Sequence, residues 1–97
     1  MTIQTTAPQF RADAKLHAYI EEKLSRLTHV YDRIITCDVT LRLENSGRVR
    51  DKVAELRLNV PGATLVASES QRTFEAAVDL LADKMRRRLK RYKGRRR

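Results

Sequence analysis

Cysteine occurs once in the 97 residues, at Cys37, and tryptophan not at all. A single thiol closes no intramolecular disulfide and builds no multi-cysteine zinc site, and it fits a reducing compartment. Glycine occurs three times and proline twice, which leaves no glycine-rich phosphate loop and no low-complexity segment. No stretch approaches the roughly 20 apolar residues that cross a bilayer. Met1 to Phe10 holds no basic region followed by an apolar run, so no signal peptide is predicted and the cytoplasm is the expected location. What remains is a chain with 41% apolar residues, one domain's worth of globular sequence with a thin core.

Charge of one sign is missing from one end only. The net charge is +9. Met1 to Asp83 carries 11 Lys/Arg against 12 Asp/Glu, whereas Lys84 to Arg97 carries 10 Lys/Arg and no acid. A balanced body thus ends in a block of positive charge that calls for a polyanion.

Hydropathy patterning gives the order of elements. Ile3, Thr5 and Ala7 alternate with polar residues in a short strand ended by Pro8. Asp13 is placed to cap a helix, along which Leu16, Tyr19/Ile20, Leu24, Leu27 and Tyr31 recur at helical spacing, with Glu22 four residues before Arg26. Cys37, Val39, Leu41 and Leu43 then alternate with polar residues, followed by the turn Asn45-Ser46-Gly47 and an exposed loop over Arg48 to Asp51. Ala54 to Val60 is a second half-buried strand, Pro61-Gly62 a turn, and Ala63 to Ser68 a third. Ser70 or Thr73 caps a last helix, from about Gln71 to Lys93, whose stripe is Phe74, Ala77/Val78, Leu81, Met85, Leu89 and Tyr92. At roughly 34 Å this helix is longer than short strands cover, so its basic end is expected to project. The predicted fold class is α+β: β-α-β-β-β-α, a four-stranded sheet with two helices on one face and a polar, water-facing other side. A single domain spans 1–93, with 94–97 a disordered basic tail.

His17 and His29 lie twelve residues apart on the first helix, outside any local metal spacing, and read as surface histidines. Asp79 and Asp83 form an i, i+4 pair, but Asp83 is placed to pair with Arg87, and Asp79 sits in the helix's N-terminal half, where the dipole favours acids. Cys37 falls on an inward strand face as an inert core thiol. The sequence predicts no enzyme, no metal, no cofactor and no small-molecule substrate. The basic run is different: Lys84, Arg86, Arg87, Arg88, Lys90, Arg91 and Lys93 surround the apolar stripe, and Arg, whose fork matches phosphate oxygens, predominates. A membrane-surface helix would need apolar residues beyond those the core uses. The predicted strands carry no aromatic residue, which disfavours base stacking on the sheet and leaves backbone and shape recognition of structured RNA or duplex.

The run Ala14-Lys15-Leu16 through Lys23-Leu24-Ser25-Arg26-Leu27 to Tyr31-Asp32-Arg33-Ile34 resembles the first helix of the ribosome hibernation promoting factors, also called ribosome-associated translation inhibitors. Val39-Thr40-Leu41-Arg42-Leu43, Ala67-Ser68-Glu69, Ala76-Ala77-Val78-Asp79 and Lys84-Met85-Arg86-Arg87-Arg88-Leu89 follow at that family's spacing, and the likeness covers nearly the whole chain. The resemblance implies a double-stranded-RNA-binding-domain-like fold and binding to the small ribosomal subunit and its 16S rRNA, alone or in whole ribosomes. It further implies that the domain lies in the channel for messenger and transfer RNA at the decoding centre and inhibits translation in stationary phase or stress. By position, the implied rRNA-binding residues are Lys23 and Arg26 on the first helix and Lys84, Arg87, Arg91 and Lys93 on the second. Arg86, Arg88 and Lys90 are added from the charge block itself. Where members often carry an acidic residue and a Tyr before an Ala-Ala-Ile-Asp run, this chain has Thr73 and Glu75 around Phe74. Long members carry a further C-terminal domain that pairs ribosomes; the chain resembles the short form, expected to be a monomer when free. The alternatives are a general double-stranded-RNA-binding module, or a basic helix docking on an acidic membrane or protein surface.

Overall fold

Alternation along the strands and the two helical stripes meet on one side of a sheet. The computed structural model describes the chain over residues 1–46 and 49–95. Strand β1 (Thr2–Thr6) leads to helix α1 (Ala14–Ser25), which ends in a 3-10 turn (Arg26–His29). Strands β2 (Thr36–Ser46), β3 (Val49–Val60) and β4 (Ala63–Gln71) and helix α2 (Phe74–Arg95) follow. The sheet is four-stranded in the order β1-β2-β3-β4. β1 is parallel to β2, with Ile3 opposite Cys37, and the other two pairings are antiparallel, with Leu56 opposite Val39 and Ala67. This is the α+β fold expected from the sequence.

The core is the inward face of β2 and β3 (Cys37, Val39, Leu41; Ala54, Leu56, Leu58, Val60) under Ile20, Leu24 and Leu27 of the first helical segment and Phe74, Val78, Leu81, Met85 and Leu89 of α2. No described polar or charged residue is buried, so the domain rests on apolar burial rather than on interior ion pairs. Phe10, from the β1–α1 connection, stacks on Phe74 at 5.0 Å between centroids, giving Phe74 a packing role. The Asp13 carboxylate accepts from the Leu16 amide at 2.8 Å and satisfies one orphan donor of α1. Asp13→Ala is therefore expected to cost about 1 kcal/mol, read as a lower midpoint in urea with an unchanged slope.

Several boundaries differ from the sequence reading. Val49 to Asp51 is strand rather than loop; its pairing runs from Ser46 opposite Val49 to Glu44 opposite Asp51. On this arm Leu43 is left exposed, and its amide donates to the Gln9 side chain at 2.6 Å. Gly47 and Arg48 lie outside the described residues. β4 runs on to Gln71, and the Thr73 hydroxyl, accepting from the Ala76 amide at 3.1 Å, caps α2. Gly62 has φ 85°, the conformation that the Pro61-Gly62 turn requires. α2 continues through Gly94 to Arg95, into the segment expected to be disordered; one glycine costs a helix only about 1 kcal/mol. Residues 96 and 97 are not among those described. The projection of the basic end is also smaller than expected. Leu89 is fully buried, Tyr92 packs edge-on against Tyr31 at 6.0 Å, and its hydroxyl donates to the Pro61 carbonyl, so the helix is anchored to within its last turn.

Candidate nucleic-acid interface

Docking α2 along its apolar stripe divides the basic residues by direction. On one flank, Lys23, Arg26, Asp79, Asp83 and Arg86 line a cleft between α1 and α2. Its charges are matched. Lys23 lies 3.4 Å from Asp79, Arg26 lies 2.9 Å from Glu22, and Arg86 lies 3.6 Å from Asp83. Asp83 thus pairs one residue earlier than the sequence suggested, with Arg86 in place of Arg87, because Arg86 shares its cleft-facing side of the helix. Asp79 is an inter-helix bridge rather than a dipole partner: it also accepts the Tyr19 hydroxyl at 2.7 Å. That bond, then desolvation and the surrounding carboxylates, pushes the Tyr19 hydroxyl up to about 12. Arg26 stands at the start of the 3-10 turn, just past α1.

On the opposite flank α2 runs beside β4, the edge of the sheet. Lys84 lies 2.8 Å from Glu69 and donates to the Ser68 carbonyl at 3.3 Å. Arg88 donates to the Val66 carbonyl. At the C-terminal end Lys93 reaches the Val30 carbonyl at 3.4 Å, and His29, Lys90, Lys93 and Gly94 line a second hollow. His29, read from the sequence as an ordinary surface residue, therefore borders the basic end, a juxtaposition that only the docking of α2 on the 3-10 turn creates.

Between these flanks stand Arg87, Lys90 and Arg91, all exposed. Among the described residues none of the three has a carboxylate within ion-pair distance. They sit at i, i+3 and i+4 on a helix held rigid by Leu89 and Tyr92, so they form one cluster of uncompensated charge. The nine candidate residues therefore separate into acid-paired (Lys23, Arg26, Lys84, Arg86), carbonyl-bound (Arg88, Lys93) and unpaired (Arg87, Lys90, Arg91) groups.

The remaining chemistry is structural. Cys37 is fully buried. Desolvation first, then the charges of Asp38 and Glu21, push its thiol up to about 12. A thiol whose folded value exceeds its ordinary one contributes stability below about pH 9 that is lost as pH rises toward 12. At pH 8 the native thiol is expected to alkylate at least ~100-fold more slowly than in guanidinium, because only opened molecules react; mass spectrometry of iodoacetamide-treated protein reads this. On the open sheet face, the Arg42 guanidinium is held by Glu55 at 2.7 Å and Glu44 at 3.4 Å. Among the described residues no group of three or more His, Cys, Asp or Glu is placed to hold a metal, and no helix is long and apolar enough to cross a membrane.

The family model described as Sigma 54 modulation protein / S30EA ribosomal protein matches residues 3–97. The chain belongs to that family. A relative from Azotobacter vinelandii named ribosome hibernation promoting factor is 37% identical over 93 residues, covering 96% of this chain and 83% of its own. A Pseudomonas putida protein of the same name is 32% identical over 93 residues, covering 96% of this chain and 87% of its own. A Deinococcus radiodurans ribosome hibernation promotion factor is 38% identical over 82 residues, which is 42% of its length. Among solved structures, a ribosomal subunit interface protein from Coxiella burnetii superposes with TM-score 0.86 at 26% identity, covering 97% of this chain and 99% of its own. The N-terminal domain of Thermus thermophilus Protein Y shares the fold, with TM-score 0.75 at 24% identity over 95% of this chain and 99% of its own.

Proposed function

We propose that this chain is a cytoplasmic ribosome hibernation factor that binds the small ribosomal subunit through 16S rRNA, in whole ribosomes as well as alone. It occupies the messenger and transfer RNA channel at the decoding centre and so inhibits translation in stationary phase or stress. It works by occupancy, as a monomer and without a cofactor. The observation that carries this reading is the rigid, acid-free cluster Arg87, Lys90 and Arg91 on a chain of the hibernation factor family. These are the leading phosphate ligands. Lys23, Arg26, Lys84 and Arg86 join them by exchanging their carboxylates for phosphate, and Lys93 by releasing a carbonyl. Exposed ion pairs are worth roughly 0–1 kcal/mol, so exchange for a more highly charged partner is inexpensive. The absence of aromatic residues from all four strands favours reading of backbone and shape over stacking on bases.

Sucrose-gradient sedimentation of a stationary-phase lysate tests the proposal. The protein is expected with small subunits or whole ribosomes. Absence from every ribosomal fraction at low salt would reject it, and capture instead by generic duplex RNA or by anionic liposomes would assign it to another class. If about six phosphates are neutralised, raising salt from about 50 to about 200 mM lowers affinity on the order of a thousandfold.

A further inference from the structure

Of the basic residues from Lys84 to Lys93, Arg88 is the one that falls on the inward stripe of α2. Leu81, Met85, Arg88 and Tyr92 follow in steps of four, three and four along the side of that stripe next to the buried Leu89. Arg88 is half-buried, whereas Arg86, Arg87, Lys90, Arg91 and Lys93 are exposed. A guanidinium in that position must run its stem along the apolar surface and bring its head out at the nearest polar boundary. That boundary is the β4 edge. β4 pairs only with β3, so alternate carbonyls on its outer side have no strand partner. Arg88 donates to the Val66 carbonyl and Lys84, one turn earlier, to that of Ser68. The two spacings match: four helical residues advance about 6 Å and two strand residues about 6.6 Å. Helix and edge can therefore be joined at successive outward carbonyls without bending either.

We infer that Arg88 is a positioning residue and not a phosphate ligand: its bond to the free edge of β4 fixes the rotation of α2 about its axis and thereby aims Arg87, Lys90 and Arg91 outward as one cluster. The role depends on the N–H groups of the guanidinium and its reach, not on its positive charge. It rests on the ribosome-binding reading above for its functional consequence, but the contact itself does not.

The two demands are separated by citrulline, which keeps the length of arginine, its Nε–H and one terminal NH2 donor, and discards the charge. Arg88→citrulline, Arg87→citrulline and Arg88→Ala chains, assembled by chemical ligation, are compared with the parent for binding to salt-washed small ribosomal subunits across a salt series. Arg87→citrulline is expected to lower the slope of log affinity against log salt by roughly 0.7–0.9, the loss of one phosphate contact. Arg88→citrulline is expected to bind within about twofold of the parent with the slope unchanged, and Arg88→Ala to bind several-fold more weakly, also at unchanged slope. Amide exchange of Leu89 to Lys93 is expected to quicken about tenfold in Arg88→Ala and to stay near the parent in Arg88→citrulline. A slope lowered equally by Arg88→citrulline and Arg87→citrulline overturns the inference, as does unchanged exchange in Arg88→Ala. If the parent itself fails to bind subunits, the ribosome reading fails, and the exchange arm still decides whether Arg88 latches the helix.

Discussion

Replacing Arg87, Lys90 and Arg91 together by alanine is expected to lower affinity for small ribosomal subunits on the order of a hundredfold, with the fold intact. The figure follows from about 1 kcal/mol for each exposed contact between a cation and a phosphate. The fold survives because none of the three side chains enters the core, and alanine is the best helix former. Among the described residues no carboxylate is paired with them, so their charge goes to the partner. Removing Lys23 and Arg26 is expected to do less, a few-fold, because binding through them breaks their pairs with Asp79 and Glu22 and the net gain that is lost is smaller. Equilibrium binding at fixed salt, with circular dichroism to verify the fold, distinguishes these outcomes. Equal binding by the triple variant removes the cluster from the interface.

The opposite behaviour is expected of Met85→Ala. Met85 lies between Lys84 and Arg86 in sequence, yet it is fully buried in the core. Truncating a buried methionine costs about 2–5 kcal/mol because surrounding side chains close the cavity only in part. In a domain of this size each kcal/mol moves the midpoint by roughly 4–8 °C, so the thermal midpoint is expected to fall by about 8 °C or more. Below that transition, affinity per folded molecule is expected to stay near the parent value, since no charge has changed. A midpoint within a few degrees of the parent contradicts the placement of α2 on the sheet.

These two neighbouring substitutions also mark what the sequence makes legible. Period-two alternation in Cys37 to Leu43 and Ala54 to Val60, and the stripe from Phe74 to Tyr92, report burial directly, so the core and the element order follow from pattern alone. The Asp13 cap and the Pro61-Gly62 turn are local and equally readable. Val49 to Asp51 is not, because that segment holds a single apolar residue, too few to show an apolar alternation. The end of α1 at Ser25 escaped for a related reason: Leu27 and Tyr31 keep their contacts through a 3-10 turn, so the stripe continues where the α-helix does not. For the site, sequence located the positive charge but not its partners. Asp83 has basic residues at both i+3 and i+4, and only the direction of the inter-helix cleft selects Arg86. The β4 edge, which occupies Lys84 and Arg88, depends on strand order, a property of the sheet as a whole. Arg88 did carry a readable mark, its place on the inward stripe, masked by the arginines around it.

The most direct test of the account is competition. Small ribosomal subunits programmed with a short messenger and loaded with labelled transfer RNA are titrated with the protein, and retained label is measured on filters. Displacement of the transfer RNA is expected at one protein per subunit, weakened as salt rises and lost in the Arg87, Lys90 and Arg91 triple variant. Subunits that carry saturating protein and transfer RNA together would contradict it.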